Sequence, residues 1–381
     1  MSECFITRHG GVASDDTYTY TMTEDGLFQY PAMVTIPKNV TSLTSGNVRC
    51  FDSHTEIKKV KWETGSSMTT LSYKAFNKCT GLEDVVLPDN ITTIGDYAFN
   101  GCTSLKNISL NTEVKRNYGS QCFFGCNLTT ETAQTIVESA NALGVGVFSN
   151  NKNIKSITLP YLNNYLCSDC IGLESAIVTA NYTTGVGCSF LFSGCTSLKS
   201  VVFTGDFADD TVGACSSCFR NCSKLTNITF PNNITVLPES MFISCKALQT
   251  MSVPHGVIKL GQRLFYGCTA LTTVWLPNTI TSGADYTGTM QIFYGCTALT
   301  DIQLEDGWDC TLVITAPTLT AASLKAMFES LADLTDTTAK TLTLGTANYN
   351  TAVTTTYTPE GSSEEVSIAT IATNKNWTLQ A

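Results

Sequence analysis

One twelve-residue phrase limits what this chain can fold into more than any other feature. It stands most cleanly at Phe99-Asn-Gly-Cys102-Thr-Ser-Leu105-Lys-Asn-Ile108-Ser-Leu110, and close copies span 76–87, 192–203, 219–230, 242–253, 265–276 and 293–304. Weaker copies open at Phe51, with His54 in the Cys slot, at Phe148, with Asn151 there, and at Cys167, which stands in the Phe slot. A damaged copy starts at Phe123. Neighbouring clean copies begin 23 to 28 residues apart, and a fixed period in that range marks a solenoid. No single coil can enclose its own apolar face, so coils must stack on a shared core.

Within a coil, Leu-x-x-Val-x-Leu-Pro predicts a short strand whose middle position points outward between two core residues. Pro88, Pro160, Pro231, Pro254 and Pro277 end these strands, because proline has no N–H to give to a ladder. A second apolar stretch follows at 90–95, 233–237 and 256–260 and predicts a second short strand on another face. The Phe-x-x-Cys-x-x-Leu section is then a tight helical or 3₁₀ turn leading into the next strand.

Seventeen cysteines would ordinarily suggest a disulfide framework or a metal protein. Aligning the coils accounts for most of them. Nine, from Cys79 to Cys296, fill the Cys slot; Cys50, Cys122 and Cys218 directly precede a repeat Phe; Cys188 and Cys215 stand four before one. Cys167 replaces a Phe, and Cys4 and Cys310 have no assigned place. Free Cys behaves as a small buried hydrophobe. The pattern therefore predicts a ladder of reduced core thiols, with a few disulfides or a bound metal as the alternatives.

Charged residues are only 14% of the chain and the net charge is −10, which argues against electrostatic capture of nucleic acid or of an anionic membrane. No apolar run reaches the roughly 20 residues of a transmembrane helix, so membrane insertion is not expected. The segment from Met1 lacks the basic region and apolar stretch of a signal peptide.

Two regions break the rhythm alike. Residues 128–143 match 319–334 position by position, including Glu138-Ser139 with Glu329-Ser330. Each has a Thr N-cap candidate (Thr129, Thr320) and good helix formers, which predicts an α-helix of about four turns in place of the usual turn. The expected organisation is an N-terminal β cap over 1–50 and a repeat solenoid over 51–316, with a helical unit near 128–147. A helix–strand cap over 317–381 follows, with 348–366 as a polar loop.

Chemistry is hard to assemble from these residues. Of three histidines, His54 is expected in the core and His255 in a solvated turn, and none has a nucleophile partner in a known pattern. Cys167-Ser-Asp-Cys170 and Cys215-Ser-Ser-Cys218 have Cys-x-x-Cys spacing, but their members fall on core slots. Asp206, Asp209, Asp210 and Asp285, with Tyr286, lie in inserted loops without the ligand run of a calcium site. No catalytic residue, metal site or cofactor is assigned.

The repeat grammar resembles that of the BspA-like leucine-rich repeat proteins over roughly residues 51–304. That resemblance implies an α/β repeat solenoid, a right-handed superhelix with short parallel strands and helical or 3₁₀ turns. It implies a non-enzymatic adhesion or recognition protein of a bacterial surface, secreted or cell-surface, with a protein or glycan of host or bacterial origin as ligand. The Thr-headed units also resemble segments from gut bacteria and their phages, so a virion (tail-associated) structural or receptor-binding protein is the alternative.

If recognition is the role, the outward strand positions are the surface to inspect. In chain order they include Lys61, Val86, Ser109, Thr158 and Ile177, then Val202, Thr229, Ser252, Trp275 and Gln303. Trp275 is the large aromatic among them, with Thr273 on its own strand and Asp301 beside Gln303 on the next. Exposed aromatics dominate binding hot spots. Trp275, Gln303, Asp301, Thr273, Ser252 and Thr229 are therefore the candidate ligand-binding residues.

Overall fold

The predicted alternation appears as parallel strands of two to four residues, each hydrogen-bonded to an equivalent strand of a neighbouring coil. The computed structural model describes residues 33–36, 38, 40–43, 51–181, 187–206, 215–231, 233–281, 291–314 and 318–381, with the backbone of strands Glu3–Ile6, Tyr18–Met22, Phe28–Gln29, Thr44–Ser45 and Val48–Arg49. The chain forms two compact units, Met1–Ile177 and Val178–Ala381.

In the first unit, Met33–Ile36, Lys59–Trp62, Asp84–Val86 and Asn107–Ser109 make one parallel sheet. Thr70–Leu71, Thr93–Ile94, Arg116–Tyr118 and Ala140–Leu143 make a second, the other predicted face. The second unit repeats the scheme, with Thr250–Ser252, Thr273–Leu276 and Asp301–Leu304 in one sheet and Val236–Leu237 against Lys259–Leu260 in another. Both units are parallel-strand β-solenoids. Near the N-terminus three strands pair antiparallel.

The repeat Phe rings stack like coins. In the first unit Phe51, Phe76, Phe99 and Phe123 follow one another at centroid distances of 5.1, 5.5 and 5.5 Å, nearly parallel. Phe192, Phe219, Phe242, Phe265 and Phe293 do so in the second at 5.5–5.9 Å. Each buried ring contributes roughly 1.5–3 kcal/mol of transfer free energy, which no isolated coil could collect.

The Cys slot does more than fill space. Cys102 Sγ donates to the Phe76 carbonyl at 3.1 Å, Cys126 to Phe99 at 3.2 Å and Cys245 to Phe219 at 3.2 Å, each bond reaching back one coil. Asn151, fully buried in the same slot, donates through Nδ2 to the Phe123 carbonyl at 2.9 Å. A small side chain with a donor is what the position selects, and this explains why thiols rather than methyls recur there.

The section around each Phe is a chain of turns with i→i+3 hydrogen bonds, such as Cys79 N to Phe76 O at 3.2 Å and Leu82 N to Cys79 O at 3.0 Å. Each turn carries two left-handed residues, as at Tyr97 (φ 58°) and Gly101 (φ 73°). Glycine at the second position after Phe relieves a strain that costs other L-residues about 1–2 kcal/mol.

Four expectations need correction. The two matched segments are helical only over Thr130–Ser139 (α1) and Ala321–Glu329 (α2), fewer than the four turns predicted. Residues Ala140–Leu143 leave the helix because they pair with Arg116–Tyr118. Residues 348–366 are not simply a loop: Gly345–Thr354 forms a helix (α3), anchored by buried Asn348 and Ala352, and Thr356–Tyr357 pairs with Val366–Ser367. A last helix, Ala369–Asn374 (α4), precedes strand Trp377–Gln380. The thiol ladder is broken at one point, because Cys188 and Cys215 form a disulfide with Cα atoms 4.4 Å apart. Lastly, His54 is half-exposed rather than core, its Nδ1 lying 2.9 Å from Glu56 Oε1.

Helix α1 occupies the lane that a strand would fill between Asn107–Ser109 and Ser156–Leu159. Thr129 N donates to Lys106 O on one side at 3.2 Å. On the other, Lys155 N donates to Thr130 Oγ1 at 2.8 Å and Thr158 N to Gln134 Oε1 at 3.1 Å. Side-chain oxygens thus replace the carbonyls of a missing strand and keep the sheet edge from going unpaired.

Candidate functional site

Period-two alternation buries Met251, Val274 and Ile302 and turns their neighbours outward. Two outward rows cross the sheet. Ser252, Trp275 and Gln303 stand opposite one another in one; Thr250, Thr273 and Asp301 form the other. With strands about 4.8 Å apart, these six positions make a patch of indole, amide, hydroxyl and carboxylate. Trp275 is half-buried, with Ser252 and Gln303 as its ladder neighbours, and Gln303 Nε2 donates to Asp301 Oδ2 at 2.7 Å. That bond orients the amide and leaves the indole as the apolar centre of a polar surround.

Five of the six expected residues therefore come together. Thr229 does not join them through the ladder, since its strand, Asn227–Thr229, pairs with Ser200–Phe203 and lies in a different sheet from Thr250–Ser252. Its coil differs inside as well: Phe203 and Phe230 stack at 6.3 Å where Val253 and Leu276 occupy the equivalent slots, and central Ile228 is only half-buried. Asp209, Asp210, Asp285, Tyr286 and Cys50 lie outside the described residues.

The thiols are chemically quiet. Burial pushes Cys296 up to about 12 and raises Cys102, Cys122, Cys222 and Cys245 well above the ordinary thiol range. Such groups stay protonated at neutral pH and act as donors rather than nucleophiles. Among the described residues no three His, Cys, Asp or Glu side chains gather as metal ligands, and no helix is long and apolar enough to cross a membrane.

A feature that strand periodicity did not reveal lies in the first unit. A strand takes about 4.8 Å of sheet width, whereas a helix is about 10–12 Å across, so α1 stands proud of the sheet. With strands Ser156–Leu159 and Ser175–Val178 it bounds an open groove of ≈ 950 Å³. Only the helix length and its place in the lane could have announced it.

The BspA type leucine rich repeat region, described as 6 copies, matches residues 28–141, 119–214 and 188–311. No curated protein matches the chain. Among solved structures, the pneumococcal vaccine antigen PcpA is similar at 17% identity, over 78% of this chain and 77% of that one, with a TM-score of 0.48. A leucine-rich repeat protein from Eubacterium ventriosum is 20% identical over 78% and 79% of the two chains (TM-score 0.41). A leucine rich cell surface protein from Faecalibacterium prausnitzii is 18% identical over 80% and 95% (TM-score 0.33). With three overlapping matches running unbroken from residue 28 to residue 311, this chain belongs to the BspA type leucine rich repeat family.

Proposed function

We propose that the protein is a non-catalytic recognition module of a bacterial surface. Its sheet patch around Trp275 binds a protein or a glycan. The observation that carries this is the half-buried indole flanked by Ser252 and Gln303 in the register of a parallel ladder. An aromatic held in a polar surround, where the core row beneath is already complete, contributes nothing the fold lacks and suits a partner's apolar edge or sugar ring. The patch carries one carboxylate and no cation, so fit outweighs electrostatic steering.

The test is an array of host proteins and glycans probed with the full chain and with Trp275→Ala. A hit is expected, and truncation of a central aromatic anchor should weaken it by about thirtyfold, the scale of a 2 kcal/mol hot spot. An undiminished hit removes the patch as the site.

A further inference from the structure

We propose that the groove beside α1 is a second binding site and that its occupant is a Lys- or Arg-bearing segment of a partner protein. Its helix wall is the face Glu131, Gln134, Thr135 and Glu138, the i, i+3, i+4, i+7 set. The opposite face of α1, including Ala133, Ile136 and Val137, is buried, which fixes the wall's orientation. Both glutamates are exposed, and among the described residues neither carboxylate has an ion-pair or hydrogen-bond partner. Two helical turns separate them by about 10.5 Å, too far to share a metal ion and well placed for two basic side chains of an extended segment. The floor supplies the Thr158 hydroxyl and the side chain of Ile177, which is 44% exposed.

The lining excludes the other ligand classes. No aromatic ring is present to stack a sugar, and no Lys or Arg to hold a phosphate. The matched helix sharpens the contrast. In α2 the positions of Glu131 and Gln134 are Ala322 and Lys325, and Lys325 pairs with Glu329, the counterpart of Glu138. One copy of the phrase neutralises its carboxylate, while the other leaves two free beside a groove.

The test is fluorescence anisotropy of the full chain with a labelled ten-residue peptide of alternating Lys and Ser, with a Glu–Ser peptide as comparison. The Lys peptide should bind, the Glu peptide should not, and added salt should weaken the complex. Glu131→Gln with Glu138→Gln should weaken binding by about tenfold, and Thr135→Trp, which fills the groove without altering charge, should weaken it too. Glu329→Gln should bind like the parent, and far-UV circular dichroism should show every variant folded. No binding by the parent, equal binding by the double variant, or full binding by Thr135→Trp would each overturn the proposal. The groove shares no residue with the Trp275 patch, so either site can fail while the other stands.

Discussion

The same phrase builds α1 and α2 in different settings, and what they share separates local instruction from local accident. Thr129 and Thr320 each cap their helix, accepting from Thr132 N and Ser323 N at 3.1 Å. The Leu that opens each phrase gives its N–H to a buried asparagine from a later segment: Leu128 to Asn151 Oδ1 at 3.2 Å, Leu319 to Asn348 Oδ1 at 2.7 Å. Asn151 comes from a ladder slot and Asn348 from α3, so one demand is met from two scaffolds. At the far end, Ala140 pairs with Arg116 and Leu331 with Trp308, and both large partners are fully buried. Arg116 directs Nε to Ile91 O at 3.0 Å and Nη1 to Asn111 O at 2.8 Å and Val114 O at 2.9 Å. Trp308 Nε1 donates to Cys310 O at 2.5 Å. Arg116 Nη2 is buried without a hydrogen-bond partner among the described residues. The phrase thus requires a cap, an amide and a filled space, and the chemistry of the filler is open even at the cost of one unsatisfied donor.

The filler gives the largest test. Trp308→Ala should destabilise the chain by about 3–5 kcal/mol, whereas Arg116→Met should be neutral or stabilising, because a buried cation held only by carbonyls is replaced by an apolar chain of similar length. Urea unfolding measures both, and a loss at Arg116→Met as large as that at Trp308→Ala would show that the chemistry of the filler, and not only its volume, is required. Next come the amides. Asn151→Ala and Asn348→Ala should each cost about 1–3 kcal/mol, the penalty of an orphaned buried N–H. Asn151→Cys should recover part of the loss by restoring the bond to Phe123 O; thermal melts of the three variants decide. The caps are smallest: Thr129→Ala and Thr320→Ala should cost about 1 kcal/mol each, and a marked inequality between them would show that setting outweighs phrase.

Much of the fold was legible because a repeat states the same physical demand many times. Phe76, Phe99 and their counterparts could only be a shared core, and the thiols at one slot could only lie beside them. The donor role of those thiols was harder to see, since a thiol and a methyl look alike until Asn151 appears in the slot. Helix ends escaped because Ala140–Leu143 has helical propensity and only its partner Arg116–Tyr118 makes it a strand. The disulfide is written in the repeat itself: Cys188 and Cys215 both stand four before a repeat Phe, in successive coils, and so are neighbours by construction. Outwardness of Trp275 followed from period two. The parting of Thr229 from Ser252 did not, because ladder continuity depends on how each coil packs inside.

The donor ladder also equips the chain with its own clock. Each protonated thiol is shielded while its coil stays closed, so an alkylating reagent can mark Cys102 or Cys245 only during an opening event. A timed pulse of iodoacetamide, read by peptide mass, would date the opening of individual coils along the stack without any engineered label.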